Sequence, residues 1–309
     1  MGIYSVGGLI RRYRVEHRIS QEELAEGICS VPTLSRIENG ERLPSKANYD
    51  ALMQRLGYST EICDLYINDH ECDIHELRYK LRLSVSKRNF TEARQLLEQM
   101  KLLREAQTDK LNKQFILYME ENIKTEGAFT KESIRVFEKA IRMTLINYGK
   151  KRISQSLLTN DEIAILNNIA ISYGMNGDGD KAIQMYYELK EYAETKFISH
   201  EEKMKIYPFV LYNLTKELGQ KERFEECINV CDYAMVVLKG NMVSRMLGAI
   251  IYNKAWALKQ WKEKQGESTD YLKYLLQAYY FEKSFGDSPN LERMRQSILE
   301  DYPLYESVL

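Results

Sequence analysis

Apolar residues recur at intervals of three and four along most of the chain, and nowhere do they alternate with polar ones over a stretch long enough for a strand. This pattern predicts an all-α protein. Near the start, Val6 to His17 sets Ile10 and Tyr13 on one helical face and Arg11, Arg12, Arg14 and Arg18 mostly on others. Leu24, Ala25 and Ile28 then share a face of a helix predicted over Gln21 to Ile28, with Ser20 as N-cap and Glu23 completing a capping box. After a tight corner at Cys29, Ser30 caps another helix. Its Leu34 and Ile37 point inward, and its Pro32 falls in the first turn, where a missing N–H costs little. Ser45 caps a helix from Lys46 to Leu56, Gly57 ends it, and Ser59 to Asn68 forms the next. The polar segment Asp69 to Asp73 reads as a hinge, so the chain is expected to divide into residues 1–70 and 71–309.

From His75 onward the helices come in pairs. Setting Asn168 beside Asn213 aligns Leu166, Ile169, Ala170, Tyr173, Ala182 and Tyr186 with Leu211, Leu214, Thr215, Leu218, Cys227 and Cys231, a period of 45 residues. Leu77, Leu81, Phe90, Ala93, Leu97 and Met100 fill the same template earlier, followed by Asn122, Val136, Ala140 and Met143. A fifth unit begins at Ile251, with a first helix that runs long before Gly266, and Asn290 to Leu299 would cap the end. The offsets resemble the tetratricopeptide repeat. That resemblance implies a right-handed superhelix of about five degenerate units with a concave inner groove.

Composition narrows the function. The 309 residues include 44 Lys and Arg against 45 Asp and Glu, so no gross positive charge announces nucleic acid. A specific DNA reader needs only a few well-placed cations, however. Five cysteines, with no signal-peptide core and no apolar run long enough to span a bilayer, predict a cytoplasmic protein without a membrane partner. Cys63, His70, Cys72 and His75 match no zinc-site spacing, and Cys227 and Cys231 fall at packing positions of the repeat. The segment Gly177-Asp178-Gly179-Asp180 is a turn, not a phosphate loop, and the four histidines have no nucleophile at an interpretable spacing. Neither an enzyme activity, a metal nor a cofactor is expected.

Two sets of residues could carry function. The helix after Ser30 turns Val31, Pro32, Thr33, Ser35 and Arg36 outward, a short-reaching surface with one guanidinium that would suit a major groove about 12 Å wide. Gln21-Glu22-Glu23-Leu24-Ala25 followed by Leu34-Ser35-Arg36-Ile37-Glu38-Asn39-Gly40 resembles the helix-turn-helix of the lambda repressor and Cro (Xre) type. The corner is one residue shorter than in most members, which is similar to the PlcR and Rgg group of peptide-responsive regulators. Within such a domain Gln21 and Asn39 are expected to position the phosphate backbone, and Val31, Pro32, Thr33 and Arg36 to face bases. Arg36 could instead pair with Glu38 or a glutamate of the preceding helix. Arg11 and Arg12 are either solvated charges or phosphate contacts.

The second set is a repeated asparagine: Asn122, Asn168, Asn213 and Asn253 stand at equivalent places on successive first helices. An amide can clamp both the C=O and the N–H of an extended peptide, so such a ladder would grip backbone while Asn167, Ile171, Tyr212, Lys216 and Tyr252 set specificity. The alternative is that the amides are packing residues bonded to neighbouring helices. The family resemblance implies the first: a short signalling peptide in the groove, a double-stranded operator on the helix-turn-helix, and a homodimer joined through the repeats. Arg78, Arg82, Lys87 and Arg88 make the first repeat basic, either as a solvated face or as partners for a peptide carboxylate. The rival function is a repeat scaffold for a protein partner, tethered to DNA by its N-terminal domain.

Overall fold

The computed structural model describes residues 6–60, 69–265, 271–285 and 290–307, and among them it is helical throughout, with no strand. The described chain forms two compact units, Met1–Asp178 with Glu191–Lys203, and Gly179–Lys190 with Met204–Leu309.

The first unit opens with four helices, α1 (Val6–Glu16), α2 (Gln21–Ala25), α3 (Val31–Glu38) and α4 (Lys46–Arg55), around Ile10, Leu24, Leu34, Ile37, Leu52 and Leu56, all essentially inaccessible. The serines act as the sequence implies. Ser20, Ser30 and Ser45 each accept a bond from the backbone N–H three residues on, at Glu23, Thr33 and Asn48. α2 stops at Ala25 instead of Ile28 because Gly27 adopts φ +70°, a conformation that ends a helix and that only glycine takes without strain. α1 and α3 cross so closely that a Cβ on Gly7 would lie 1.7 Å from the Ile37 carbonyl oxygen. The helix expected over Ser59 to Asn68 lies mostly outside the described residues.

The hinge at Asp69 to Asp73 is not observed. Those residues are the opening turns of α5 (Asp69–Ser86). A polar helix start has no apolar stripe to reveal it, and Ile74 begins the buried face only afterwards. There follow α6 (Phe90–Leu102), a short unforeseen α7 (Arg104–Thr108), α8 (Lys110–Thr125), α9 (Lys131–Ile141) and α10 (Asn160–Met175). Leu81, Ala93, Leu97 and Met100 are buried as the repeat template requires. In the next pair Phe137 takes the core position expected of its neighbour Val136, which is only half-buried.

α11 (Gly179–Thr195) and α12 (His200–Gln220) each contribute residues to both units. The second unit continues with α13 (Phe224–Gly240), α14 (Leu247–Gln265), α15 (Leu272–Lys283) and α16 (Leu291–Asp301), each lying against the one before. Cys227 of α13 is fully buried and donates its thiol to the Thr215 carbonyl of α12 at 3.2 Å, a packing role for the small position of the repeat. α16 covers the last pair with Met294 and Ile298. No described helix is long and apolar enough to cross a membrane.

Candidate functional site

Ser30 fixes the start of α3 and leaves Val31, Thr33 and Ser35 half-buried and Pro32 and Arg36 exposed along its outer side. Thr33 holds its hydroxyl 2.8 Å from Ser30 Oγ, so part of its bonding capacity is used locally. Arg36, 59% exposed, is 3.9 Å from Glu41, a loose pair that leaves the guanidinium available. Its expected rival partner, Glu38, is taken by another residue. Arg14 forks onto Glu38 with Nε at 2.6 Å and a terminal nitrogen at 2.9 Å, and Gln21 adds a bond of 2.7 Å to the same carboxylate. Glu38 is 2% exposed, and its hydrogen bond to the Arg14 guanidinium raises the arginine's affinity for its proton. One buried acid thus ties α1, α2 and α3 together. Gln21, half-buried, spends an amide N–H inside the domain. Arg11 and Arg12 are exposed and carry no ion pair among the described residues. Asn39 ends α3 as its C-cap, half-buried.

The amides are placed less openly. On α8 and α10, Asn168 donates its side-chain N–H to Asn122 Oδ1 at 2.9 Å, and Asn122 donates to the Tyr118 carbonyl at 2.7 Å. Asn122 therefore has both ends of its amide engaged internally. Asn168 keeps its Oδ1 without a partner among the described residues. Asn167 beside it is half-buried. In the second unit Asn253 donates to Thr215 Oγ1 at 3.0 Å, Asn213 and Tyr212 are half-buried, and Lys216 is exposed. Tyr252, expected to help set peptide specificity, is buried. Its hydroxyl lies 2.9 Å from Ser297 Oγ and the Arg293 guanidinium covers its ring, because α16 packs on that side of α14.

A charged cluster adjoins the first-unit amides. Arg78 and Arg82 of α5 both bond Asp161 at the start of α10, and both guanidiniums lie over the Phe115 ring, at 4.2 and 4.8 Å. Arg78 also donates to Asn112 Oδ1 at 2.8 Å. Burial opposes charge on Asp161, yet the two guanidiniums outweigh it and hold its carboxyl below the usual range. Arg78 is thus structural, whereas Arg82 remains 46% exposed.

Residues 10–62 match the helix-turn-helix family. No curated protein matches the chain in sequence. Among solved structures it is similar to PlcR from Bacillus thuringiensis, captured with the peptide PapR7 and DNA, at 18% identity and a TM-score of 0.55, over 96% of this chain and 99% of that one. It is similar also to the apo form of the competence regulator ComR from Streptococcus vestibularis, at 18% identity and a TM-score of 0.54, over 96% and 98%. The chain carries a helix-turn-helix and has the fold of PlcR and ComR.

Within this PlcR-like fold a buried polar network fastens the N-terminal helices to those that follow. Arg55, at the end of α4, forms a fully buried ion pair with Glu162 of α10 at 2.9 Å. It also donates to the carbonyls of Glu26 and, at 3.4 Å, Leu24, which close the C-terminal end of α2. Glu162 accepts from Thr144 Oγ1 at 2.6 Å and from the Thr159 N–H at 2.7 Å, the latter as half of the α10 capping box. Gln114 completes the network with a 2.6 Å bond to Thr144. A pair separated by more than a hundred residues leaves no local trace in the sequence.

Proposed function

We propose that this chain is a DNA-binding transcriptional regulator whose grip on its operator is set by a short signalling peptide held by the repeats. The observation that carries the reading is the extent of the likeness to PlcR: it spans reader and repeats together, over nearly all of both chains. The helix-turn-helix supplies the DNA side. Val31, Pro32, Thr33, Ser35 and Arg36 meet base edges, and Arg11, Arg12, Asn39 and the α2 N-terminus at Gln21 meet phosphates. A homodimer places two such readers on half-sites one turn of DNA, about 34 Å, apart or a small multiple of it.

On the peptide side, Asn168 and Asn213 lead, with Asn253, Asn167, Tyr212 and Lys216 as neighbours. Asn168 offers a free carbonyl oxygen to a peptide N–H. Peptide can alter DNA affinity only through a difference in its own affinity for two states of the protein. The expected division at residue 70 then moves to the start of α5 at Asp69: the helices before it form the reader, and α5 onward the sensor and dimerisation domain.

The internal Asn122–Asn168 bond favours a second reading, a repeat scaffold for a folded protein partner in which these amides only pack. Titration of labelled candidate peptides onto wild type, Asn168→Ala and Asn213→Ala separates the two. The sensor predicts a loss of roughly tenfold or more in peptide affinity; equal affinity in all three proteins discards it. For DNA, Arg36→Ala should weaken cognate binding by roughly 1–3 kcal/mol and relax base preference at one position.

A further inference from the structure

Repeat helices are usually joined by a few residues, and here 126–130, 176–178 and 221–223 do so. The connection between α9 and α10, residues 142–159, is more than three times as long. It is nevertheless built, not slack. Thr144, Leu145, Ile153 and Leu158 are buried, Gly149 turns the chain at φ +83°, and Lys150 N–H bonds the Asn147 carbonyl at 2.9 Å. Arg142 donates to the Tyr148 carbonyl at 3.1 Å and lies 4.9 Å over its ring.

This loop is seated on the corner of the helix-turn-helix. A Cβ on Gly27 would lie 1.8 Å from the Thr144 carbonyl oxygen, Asn147 bonds the Glu26 carboxylate, and Arg55 reaches the Thr144 carbonyl at 3.5 Å. Glu26 and Gly27 directly precede Ser30, the cap that starts α3. The loop therefore sits beside the end of α3 that would enter a major groove. Its turn exposes Arg142, Lys150, Lys151 and Arg152. Arg152 is paired with Glu191 at 2.6 Å, whereas Lys150 and Lys151 hold no ion pair among the described residues. Lys151 shares a small cleft with Glu23 and Glu26, the acids that would otherwise repel a phosphate at this corner.

We propose that the 142–159 loop is a second DNA-contacting element, in which Lys150 and Lys151 bind the phosphate backbone flanking the groove read by α3. Fastening through Gly27 and Asn147 keeps these cations in fixed register with the recognition helix, so the repeats themselves contribute to operator affinity. The contact carries no base information; it adds a salt-dependent, sequence-independent term. The inference rests on the DNA-binding reading above.

The test is operator binding by the full-length protein across a salt series, for wild type, Lys150→Gln/Lys151→Gln and Lys150→Arg/Lys151→Arg. Each phosphate contact contributes about 0.9 to the slope of log K against log salt. The glutamine pair is expected to reduce that slope by about 1.8 and to weaken binding roughly tenfold or more at 0.1 M salt, with base preference unchanged. The arginine pair should behave as wild type. Both side chains are exposed, so the circular dichroism melt should not move; Lys150→Glu/Lys151→Glu, with a further fall in affinity, confirms the sign. If wild type binds a specific operator and the glutamine pair leaves slope and affinity as they were, the loop contact is refuted and the DNA reading stands. If wild type binds no DNA, both fall together.

Discussion

Replacing Glu162 with glutamine tests the polar junction between the N-terminal bundle and the repeats. The carboxylate is 0% exposed and its partner Arg55 1% exposed, so neither charge is shared with solvent. In the Glu162→Gln variant the guanidinium keeps its bonds to the carbonyls of Leu24, Glu26 and Thr144 but has no counter-charge, and its Nε already lacks a partner. Breaking a buried pair from one side costs about 3–5 kcal/mol, a large share of the roughly 5–15 kcal/mol that holds a typical domain together. Glu162→Ala should lose about 1 kcal/mol more, because the α10 capping box goes with it. The double variant Arg55→Met/Glu162→Leu removes both desolvated charges and should recover most of the loss. Urea denaturation followed by circular dichroism reads all three, and the cycle isolates the pair's coupling. A Glu162→Gln midpoint within about 1 kcal/mol of wild type, or a double variant no better than the single one, would refute the argument that this charge is both buried and solely compensated by Glu162.

Two further outcomes follow from the same physics. The Asp161 carboxyl titrates below its ordinary 3.8 in the folded protein, so the stability it lends is fully present above that value and is lost as pH falls through the lower, folded one. Wild type should lose stability over that acid range, and Asp161→Asn should show a smaller acid-side decline from a lower starting stability, measured as urea midpoints at successive pH. Burial pushes the Cys231 thiol well up, and Cys227 and Cys231 are both inaccessible, whereas Cys72 is exposed. A thiol-reactive dye should therefore modify Cys72 in the native protein and Cys227 and Cys231 only after denaturant is added, followed site by site in mass spectrometry.

What could be read in advance was whatever a short window determines. Ser20, Ser30 and Ser45 announced three helix starts because capping acts over three residues, and the Asn168/Asn213 alignment located the best repeats because their packing positions recur. Asp69 to Asp73 failed for the converse reason: a helix that begins before its buried face looks like a linker. Glu38 was legible only as a possible partner for Arg36, since nothing within a turn or two shows that Arg14 and Gln21 converge on it. The asparagine ladder was legible as a set of positions but not as orientations. Whether Asn122 faces a ligand or Asn168 depends on how two helices far apart in sequence are rotated against each other.

The bond between Asn168 and Asn122 has a consequence for how any extended chain would be held there. An incoming strand that takes the Asn168 N–H now given to Asn122 exchanges one hydrogen bond for another, so little enthalpy is gained from that swap. On the proposed peptide-binding function, discrimination among candidate strands then passes to their side chains, because part of the backbone-gripping capacity is already spent between Asn168 and Asn122.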